Sequence, residues 1–549
     1  MPLGDFVVAY LHRIGVTHLF GIPGDLVLRL FVRFARPHGL EVVTLSHEPG
    51  VGFAADGYAR ATGRIGVACV TYGAGGHNMV NPVAGSFSER VPVLVISGGP
   101  GEDERGALIH HQARAIESQL RIYQEVTCAA AVLDDPRTAA EALHEVVRTV
   151  WREQRPGYLE IHRDMVERRV AVPRSLVEWD GALHFERSDE RKVDEAVRET
   201  ALRINAARRP LTVVGIETYR YHIQNEVRAL VERMGAPVTT TALSKGAFPM
   251  DHPLHMGVHI GRISPRPIVQ RVDRADLILS LGTPLTDMDL GGRPPQIERA
   301  RSVWAVDTRV NVSFHTYTDV HIRHFVRGLL KTRLRRHRER VPYCDNLPPE
   351  PRRPAAKLKV AELLQEVNRF LRGRREYAVV AESGDMLFAG LDVRVAGGGA
   401  YLAPGFYASM GFGVPGALGA QLGTGLRPLV LCGDGAFQMT GPEIAQAARY
   451  GLTPIVVFVN NGGWQIFRPV VGNPALLDVP PWPYASLAEL WGGRGMRVAR
   501  ADALRAALVE AATERRFVVI EAVIDPDDHS PVSRKYIQGS ARRGLRRAA

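Results

Sequence analysis

The stretch LVLCGDGAFQMTGPEIAQAARYGLTPIVVFVNNGGW, from Leu429 to Trp464, decides the fold of this chain. Its first residues, 429–432, form an apolar run typical of a buried parallel strand, and Gly433-Asp434-Gly435 then turns the chain. A helical pattern over 441–450 and a second apolar run over 455–459 follow. Strand, turn, helix and strand in this order predict a βαβ unit of a parallel sheet.

Asp434 and Asn461 directly follow the two predicted strands, whose carboxyl ends meet at one edge of a parallel sheet. A carboxylate oxygen and an amide oxygen suit Mg²⁺ that carries a phosphate. The glycines beside Asp434 let backbone N–H groups approach an anion closely. An ordinary βαβ turn with a buried Asn pair is the alternative interpretation. The complete unit favours a magnesium and phosphate site.

Two further motifs lie in the first third of the chain. THLFGIPGD spans residues 17–25, and LSHEPGVGFAADGYARATGRIGVACVTYGAG spans residues 45–75. Glu48 stands at the start of a helical pattern, with Pro49 in the first turn and Gly63 near the end. Taken alone, Glu48 could be no more than an acidic residue at a helix N-terminus.

With these motifs the chain resembles, from about Leu3 to about Val532, the 2-oxo-acid decarboxylases that use thiamine diphosphate. It shares particular likeness with bacterial phenylpyruvate and indolepyruvate decarboxylases. The shared phrases are FGIPGD, LSHEPGVGFAADGYAR, VTYGAG, VNPVAGSFSE, LIHHQ, YASMGFGVP and GDGAFQMTG. The resemblance implies an α/β protein with three doubly wound domains and mostly parallel sheets. The first domain would bind the cofactor's pyrimidine, the second would form the middle of the chain, and the third would bind the diphosphate.

The predicted domain boundaries follow from composition and from apolar runs. We expect a pyrimidine-binding domain at 1–170, a middle structural domain at 190–335, a diphosphate- and Mg²⁺-binding domain at 355–535 and a basic tail at 536–549. The Pro- and Arg-rich residues 341–356 are interpreted as a linker. Strand candidates are residues 16–20, 66–70, 93–97, 211–214, 277–281, 303–306 and 377–382.

The resemblance also implies roles for the cofactor-site residues. Glu48 is expected to share a proton with N1′ of the aminopyrimidine, which drives the 4′-amino group towards the imine that deprotonates C2. The Ala408 carbonyl would accept a bond from that amino group, and Met410 would prop the two rings into a V. The implied metal ligands are Asp434, Asn461 and Gly463. The other implied cofactor contacts are Thr71, Gly384, Asp385, Gly433, Gly435, Ala436 and Trp464.

Asp25 and the pair His110 and His111 match the decarboxylase signature. A His pair without this context would be ordinary surface or core packing. A His near neutrality, coupled to an Asp, can move a proton in both directions. We therefore expect these three residues to protonate the carbanion that CO₂ leaves behind and to help release the aldehyde.

Phe467 is a departure from the pattern of many pyruvate decarboxylases, which have a glutamate three residues after the aromatic that follows the Asn pair. An apolar wall disfavours the substrate carboxylate more than the charge-dispersed transition state for CO₂ loss. It also offers contact to a large side chain. We place Phe467, Gln112 and Asp287 at the substrate pocket. Without the glutamate, an aldehyde could capture the intermediate before protonation.

The expected function is a lyase reaction, the non-oxidative decarboxylation of an aromatic or bulky 2-oxo acid to an aldehyde and CO₂. An acyloin-forming carboligase of the acetolactate-synthase type is the alternative. A non-catalytic scaffold is a second alternative, which the intact Glu48, Asp434 and Asn461 disfavour. The resemblance further implies a homodimer or homotetramer whose active sites combine the first domain of one subunit with the third domain of another.

Composition excludes several other classes of protein. No run approaches the ~18 apolar residues of a membrane helix, and the amphipathic N-terminus does not resemble a signal peptide. The net charge of +11 lies mainly in arginines, and we interpret 333–340 as a solvated linker helix and 542–547 as a tail, without nucleic-acid binding. The cysteines lack metal-site spacing, which favours a cytoplasmic enzyme.

Overall fold

A computed structural model of the protein describes residues 1–548 except 38, 105, 293–297, 352–354, 396–400 and 472, and for 540–548 it describes only the helix. The chain divides into two compact units. The first unit contains Met1–Phe185, Val414–Gly425 and Met439–Leu452, and the second contains Glu186–Gly413, Leu426–Gln438 and Thr453–Ala549. Three sheets with interleaved helices confirm the predicted α/β class with three doubly wound domains.

The first unit contains a six-stranded sheet, all of whose pairings are parallel. Its order is β2-β1-β3-β4-β6-β5. The strands are β1 (His18–Gly21), β2 (Glu41–Thr44), β3 (Gly66–Val70), β4 (Val93–Gly99), β5 (Ala129–Leu133) and β6 (Gly157–His162). The helices are α1 (Leu3–Arg13), α2 (Leu28–Phe34), α3 (Glu48–Thr62), α4 (Ala74–Asn78), α5 (Val80–Ser88), α6 (Ser118–Val126), α7 (Ala139–Glu153) and α8 (Arg174–Val177).

Helix α3 begins and ends where its sequence pattern predicts. Glu48 is its first residue, Pro49 lies in the first turn, and Gly63 caps its end with φ +69°. The left-handed conformation favours glycine, and it stops the helix at that point. The functional consequence is that Glu48 lies at the N-terminal end of a long helix whose middle is buried.

The second sheet has the order β13-β12-β11-β10-β7-β8-β9, with antiparallel pairing only at β11–β12–β13. Its strands are β7 (Pro210–Val214), β8 (Val238–Thr240), β9 (His255–Val258), β10 (Leu277–Leu281), β11 (Ser302–Val306), β12 (Arg309–Val312) and β13 (His315–Thr318). Its helices are α9 (Glu190–Ala206), α10 (Glu217–Arg220), α11 (Gln224–Met234), α12 (Arg266–Arg274) and α13 (Ile322–Lys331).

The predicted helix at 333–340 is wrong. Helix α13 ends at Lys331, and the following residues up to 340 have neither helical nor strand structure. Their backbone groups bond instead to the rest of the second unit, since the N–H of His337 donates to the Met234 carbonyl and that of Arg335 donates to Asn205. These tertiary bonds replace those that a helix would make within the segment.

The third sheet is parallel throughout, with the order β15-β14-β16-β17-β19-β18. Its strands are β14 (Tyr377–Ala381), β15 (Tyr401–Leu402), β16 (Arg427–Gly433), β17 (Ile455–Asn460), β18 (Arg494–Val498) and β19 (Val518–Val523). The accompanying helices are α14 (Val360–Leu371), α15 (Asp385–Gly390), α16 (Gly413–Thr424), α17 (Asp434–Thr440), α18 (Ala445–Arg449), α19 (Tyr484–Leu490), α20 (Ala501–Thr513) and α21 (Pro531–Ala548).

Helix α21 crosses the predicted boundary at residue 535, so the basic tail begins as part of a helix rather than after the domain. The side chains predicted to form the tail, 542–547, lie outside the described residues, as does Ala549. The predicted helix at 441–450 begins as a 3₁₀ turn, Gly441–Ile444, and becomes α-helical at Ala445. None of the helices in the described part of the chain is both long and apolar enough to cross a membrane.

The topology of the third sheet brings the predicted metal ligands together. β16 and β17 are neighbouring parallel strands, and their register pairs Gly433 with Val459. Asp434 and Asn461 therefore leave the sheet at the same edge, as the strand pattern predicts. Glu382, directly after β14, leaves the sheet at this edge too, because β14 pairs in parallel with β16.

Candidate active site

A cavity of about 320 Å³ in the second unit collects most of the predicted cofactor residues. It lies at the carboxyl edge of the third sheet, which is the edge where ligands bind in doubly wound folds. The predicted residues that line it are Gly384, Asp385, Ala408, Met410, Gly433, Asp434, Gly435, Ala436, Asn461, Gly463, Trp464 and Phe467. The structure thus brings these residues together, while their individual roles remain predictions.

Asp434 is the buried charge of this cavity, with 1% of its surface exposed. Its carboxylate accepts backbone hydrogen bonds from Gly435 at 2.8 Å, Gly462 at 2.6 Å and Asn461 at 3.2 Å. Burial raises the pKa of Asp434 to about 6, although these N–H groups oppose the shift. A cation beside the carboxylate would favour its charged form.

The oxygen atoms around Asp434 fit a magnesium ion. One terminal atom of the Asn461 amide lies 3.0 Å from the Gly463 carbonyl oxygen and 3.3 Å from Asp434 Oδ1, distances at which the amide nitrogen donates to both. Adjacent ligands of octahedral Mg²⁺, each 2.0–2.1 Å from the ion, lie about 3 Å apart. Without an ion the Asn461 amide nitrogen can donate to both oxygens, and rotation of the amide presents its oxygen to a bound cation instead. Asp434, Asn461 and Gly463 can therefore hold Mg²⁺.

Two glycines allow the loop after β17 to close on this site. Gly463 has φ +148°, and a Cβ on it would lie 2.0 Å from the Leu477 carbonyl oxygen. A Cβ on Gly435 would lie 2.3 Å from the Trp464 ring. Trp464 therefore packs directly over the Gly-Asp-Gly turn, and both glycines are required for this close approach.

The Asp385 carboxylate is held by α21. It accepts hydrogen bonds from the Ser530 hydroxyl at 2.6 Å, from the Ser530 backbone N–H, and from the Ser533 hydroxyl. These contacts explain how a carboxylate can line a predicted diphosphate site: its oxygens are turned towards the start of α21. Gly384, with φ +80°, precedes it and leaves open space where a side chain would stand.

The loop between β15 and α16 carries Ala408 and Met410 to the cavity. Ala408 has φ +57°, and its carbonyl accepts a hydrogen bond of 2.7 Å from the Ser383 hydroxyl. The fully buried Glu382, which the sequence analysis did not identify as a functional residue, contacts the end of this loop. Its signal in the sequence was a carboxylate that directly follows an apolar strand.

In the first unit, Asp25 is the centre of the predicted proton-transfer group. It hydrogen-bonds the His110 ring, lies 3.8 Å from His111 Nε2, and accepts a bond of 3.2 Å from the Thr71 hydroxyl. Partial burial acts to raise its pKa, but hydrogen bonds from His110 and the Leu26 backbone hold the pKa of Asp25 below its ordinary value. An anionic carboxylate therefore lies in hydrogen-bond contact with the His110 ring.

The turn at His111 brings two adjacent imidazoles together. His111 has φ +66°, and its ring centre lies 4.7 Å from that of His110. A Cβ on Gly73 would lie 1.9 Å from the His111 carbonyl oxygen, so Gly73 makes room for this strained turn. The side chains of Asp25 and His110 are 44% and 58% exposed, and a substrate can reach them.

Glu48 is positioned by two residues that the sequence analysis missed. Its carboxylate accepts a hydrogen bond of 3.1 Å from Asn78. The backbone N–H groups of Ser46 and His47, directly before α3, donate to Glu443 at 2.9–3.1 Å. Burial raises the pKa of Glu443. The sequence held no signal for Glu443, which reads as an ordinary helical glutamate.

Two residues predicted to lie at the substrate pocket, Gln112 and Asp287, do not line the cavity of the second unit. Gln112 lies in the loop of the His pair and accepts a bond from the Ile109 N–H at 3.3 Å. Asp287 is exposed at the start of a 3₁₀ turn, where its carbonyl accepts bonds from Leu290 and Gly292. It is the neighbouring Met288 that lines the cavity of the second unit.

Three family models match the chain. They are described as the "N-terminal TPP binding domain", the "central domain" and the "C-terminal TPP binding domain" of thiamine pyrophosphate enzymes, and they match residues 1–122, 197–332 and 383–522. The first and third models cover Glu48 and Asp434, respectively. The chain is thus similar to this family in each of its three sheets.

Curated relatives match over nearly the whole length. The chain is 36% identical to the indole-3-pyruvate decarboxylase of Azospirillum brasilense, over 99% of both proteins. It is 29% identical to pyruvate decarboxylase 1 of Zea mays, over 96% of this chain and 88% of that protein. It is 28% identical to the pyruvate decarboxylase of Aspergillus fumigatus, over 91% of this chain and 90% of that protein.

The oxygen cluster around Asp434 generates a prediction about the metal. Asp434→Ala removes the charged ligand, and we expect at least about 10²-fold weaker Mg²⁺-dependent binding of thiamine diphosphate. Quenching of the fluorescence of Trp464, which packs against the Gly435 turn, measures this binding. Asp502→Ala, which removes an exposed carboxylate paired with Arg500, is the matched control. Cofactor binding that survives both Asp434→Ala and removal of Mg²⁺ by a chelator would contradict the assignment.

Proposed function

Because the chain belongs to the thiamine-diphosphate-dependent 2-oxo-acid decarboxylases, we propose that it converts an aromatic or bulky 2-oxo acid, of the phenylpyruvate or indolepyruvate type, into an aldehyde and CO₂. The observation that carries the substrate preference is the position of Phe467, whose ring lines the same cavity as Asp434 and Asn461. The name of the Azospirillum brasilense relative supports the same substrate class.

Thiamine diphosphate, when bound, would supply a carbon nucleophile for the 2-oxo carbon and an acceptor for the electron pair released with CO₂. Asp434, Asn461 and Gly463 would hold it through Mg²⁺ and its diphosphate. Glu48 would share a proton with the N1′ atom of the aminopyrimidine, and Asn78 fixes the orientation of the Glu48 carboxylate for this contact.

The Asp25, His110 and His111 group would supply the proton that replaces CO₂ on the product carbon. Thr71 and His110 hold the Asp25 carboxylate, and the left-handed turn at His111 keeps its ring beside that of His110. The two imidazoles beside the Asp25 carboxylate would carry this proton and pass it to the substrate.

Phe467 would act on the substrate in two ways. Its ring adds an apolar wall, next to which a charged carboxylate is less stable than the charge-dispersed transition state. It also offers a surface to a phenyl or indole ring, at about 25 cal/mol for each Å² removed from water. A methyl group, as in pyruvate, gains much less from this wall.

Carboligation remains the second candidate function, and the observation that favours it is again Phe467. A glutamate at this position could donate a proton, whereas phenylalanine cannot. If the remaining donors protonate slowly, an aldehyde can react with the carbanion and give a 2-hydroxyketone. The ratio of free aldehyde to 2-hydroxyketone among the products separates the two functions.

We also propose that the protein acts as a homodimer or a homotetramer, with Glu48 of one subunit facing Asp434 of another. The exposure of Asp25 and His110, together with that of Trp464 and Phe467 at 38% and 55%, supports a partner surface over these groups. A cytoplasmic location is proposed as well, because the four cysteines are free and Cys69 and Cys432 are buried.

The substrate proposal predicts a preference that Phe467 controls. Wild-type kcat/KM should favour phenylpyruvate over pyruvate by more than roughly tenfold, since a ring differs from a methyl group by more than one methylene. Phe467→Glu should narrow this ratio and shift any 2-hydroxyketone towards free aldehyde. A panel of 2-oxo acids, assayed for CO₂ release with product analysis, measures both effects.

Val470→Glu is the matched control for this experiment. Val470 belongs to the same 3₁₀ helix as Phe467 and is similarly exposed, at 56%, but it is not among the lining residues of the cavity. The Val470→Glu variant should leave the preference for phenylpyruvate over pyruvate and the product ratio unchanged. The proposal fails if wild type prefers pyruvate, or if Phe467→Glu behaves like Val470→Glu.

The oligomer proposal predicts complementation between inactive variants. Glu48→Gln and Asp434→Ala subunits should each lose nearly all activity, but a hybrid dimer would contain one site with both residues intact. Mixing the two, with subunit exchange followed by mass spectrometry, should restore part of the activity. If hybrids form in quantity and no activity returns, the active site is not shared between subunits.

A further inference from the structure

Glu382 is a buried carboxylate that the proposed reaction does not use. It directly follows β14, and 1% of its surface is exposed. Its oxygens accept backbone hydrogen bonds from Ser383 at 2.7 Å, Gly411 at 3.1 Å and Gly413 at 2.6 Å. The same side chain therefore binds its own strand end and the far end of the loop that carries Ala408 and Met410.

The geometry calls for a carboxylate rather than a neutral side chain. Within the described residues, Glu382 has no ion-pair partner, so backbone N–H groups are what stabilises its charge. An amide in its place would turn an NH₂ group towards one set of these donors, since only one of its terminal atoms is an acceptor. Burial raises the pKa of Glu382 to about 7, and the N–H groups of Gly413, Ser383, Gly411 and Phe412 oppose that shift.

A second contact joins the same strand end to the start of the loop. The Ser383 hydroxyl donates to the Ala408 carbonyl at 2.7 Å, and Ala408 is held in the left-handed region at φ +57°. Glu382 and Ser383 thus bind the loop on both sides of Met410. The backbone between these contacts includes Gly411, whose φ of +97° lies in the left-handed region that glycine adopts most readily.

We propose that Glu382 is the positioning residue for this loop: it fixes the Ala408 carbonyl and Met410 where they orient the aminopyrimidine of the cofactor against the C2 atom. The inference rests on the proposed function, because it uses the cofactor roles of Ala408 and Met410. Glu382 itself is not among the residues that line the cavity. Its action is to accept N–H groups that hold the loop in one conformation.

The test compares Glu382→Gln with Glu362→Gln. Glu362 is also a buried carboxylate that accepts backbone N–H groups, from Ala355 at 2.8 Å and Lys359 at 3.2 Å, but it caps α14 instead. In the protein without cofactor, amide hydrogen exchange at residues 408–413 should become at least about tenfold faster in Glu382→Gln, which is the effect expected of lost hydrogen bonds to a charged group. Glu362→Gln should leave it unchanged.

In the protein loaded with Mg²⁺ and thiamine diphosphate, exchange of the C2 proton is followed by NMR. Glu382→Gln should slow it at least about tenfold, because misplacement of reacting groups has large effects on rate. Cofactor affinity should change less than about threefold, because the Asp434 site is intact. A merely structural role would change stability or affinity without a selective loss of C2 exchange.

The outcomes separate this inference from the proposed function. If the wild-type protein does not bind the cofactor or exchange its C2 proton, the proposed function is wrong, and the inference about Glu382 falls with it. If wild type does both and Glu382→Gln exchanges at the wild-type rate, the positioning role is overturned. Should Glu382→Gln not fold, Glu382→Asp keeps the carboxylate but shortens the side chain, which moves it away from Gly411 and Gly413, and C2 exchange at the wild-type rate in that variant likewise overturns the inference.

Discussion

The buried carboxylate of Asp434, at the ends of two neighbouring parallel strands, is the constraint on which the active site depends. A carboxylate with 1% of its surface exposed is unfavourable unless hydrogen bonds and a cation stabilise it. Backbone N–H groups supply the bonds, and the Asn461 amide and the Gly463 carbonyl lie close enough to Asp434 to complete a site for Mg²⁺. Neighbouring strands β16 and β17 create this arrangement, because parallel strands deliver Asp434 and Asn461 to one edge.

Buried carboxylates that accept backbone N–H groups recur in this protein. Asp434 holds the loop after β17, Glu382 holds the loop with Met410, and Glu443 holds the residues before Glu48. In each case a buried carboxylate accepts hydrogen bonds from backbone N–H groups, and these bonds fix a loop that has no regular secondary structure. Asp385 uses the same principle with the hydroxyls of Ser530 and Ser533. These carboxylates accept hydrogen bonds from backbone N–H groups that have no partner in a strand or helix, and they hold the loops of the site in place.

Local patterns predicted the elements well and the contacts between them poorly. The strands Gly66–Val70 and Leu277–Leu281 have the bounds that their apolar runs predict, and α3 lies between the Pro and Gly signals. The placement of the candidate cofactor residues at one edge of the third sheet could be predicted because a motif puts them on two adjacent strand ends. Glu443 could not, since it lies 397 residues from Ser46 in sequence and no local spacing joins them. The prediction of a helix at the Arg-rich residues 333–340 was wrong because their backbone groups make hydrogen bonds to other parts of the fold.

The central claim is that Glu48 activates thiamine diphosphate, and C2 proton exchange of the bound cofactor tests it most directly. Glu48→Gln preserves the volume of the side chain but cannot share a proton with N1′ in the same way. The account predicts retained cofactor binding and exchange slowed at least about 10²-fold, which is typical of lost general acid–base help. Glu41→Gln, an exposed glutamate of the same unit, should exchange like wild type. Exchange at the wild-type rate in Glu48→Gln would contradict the account.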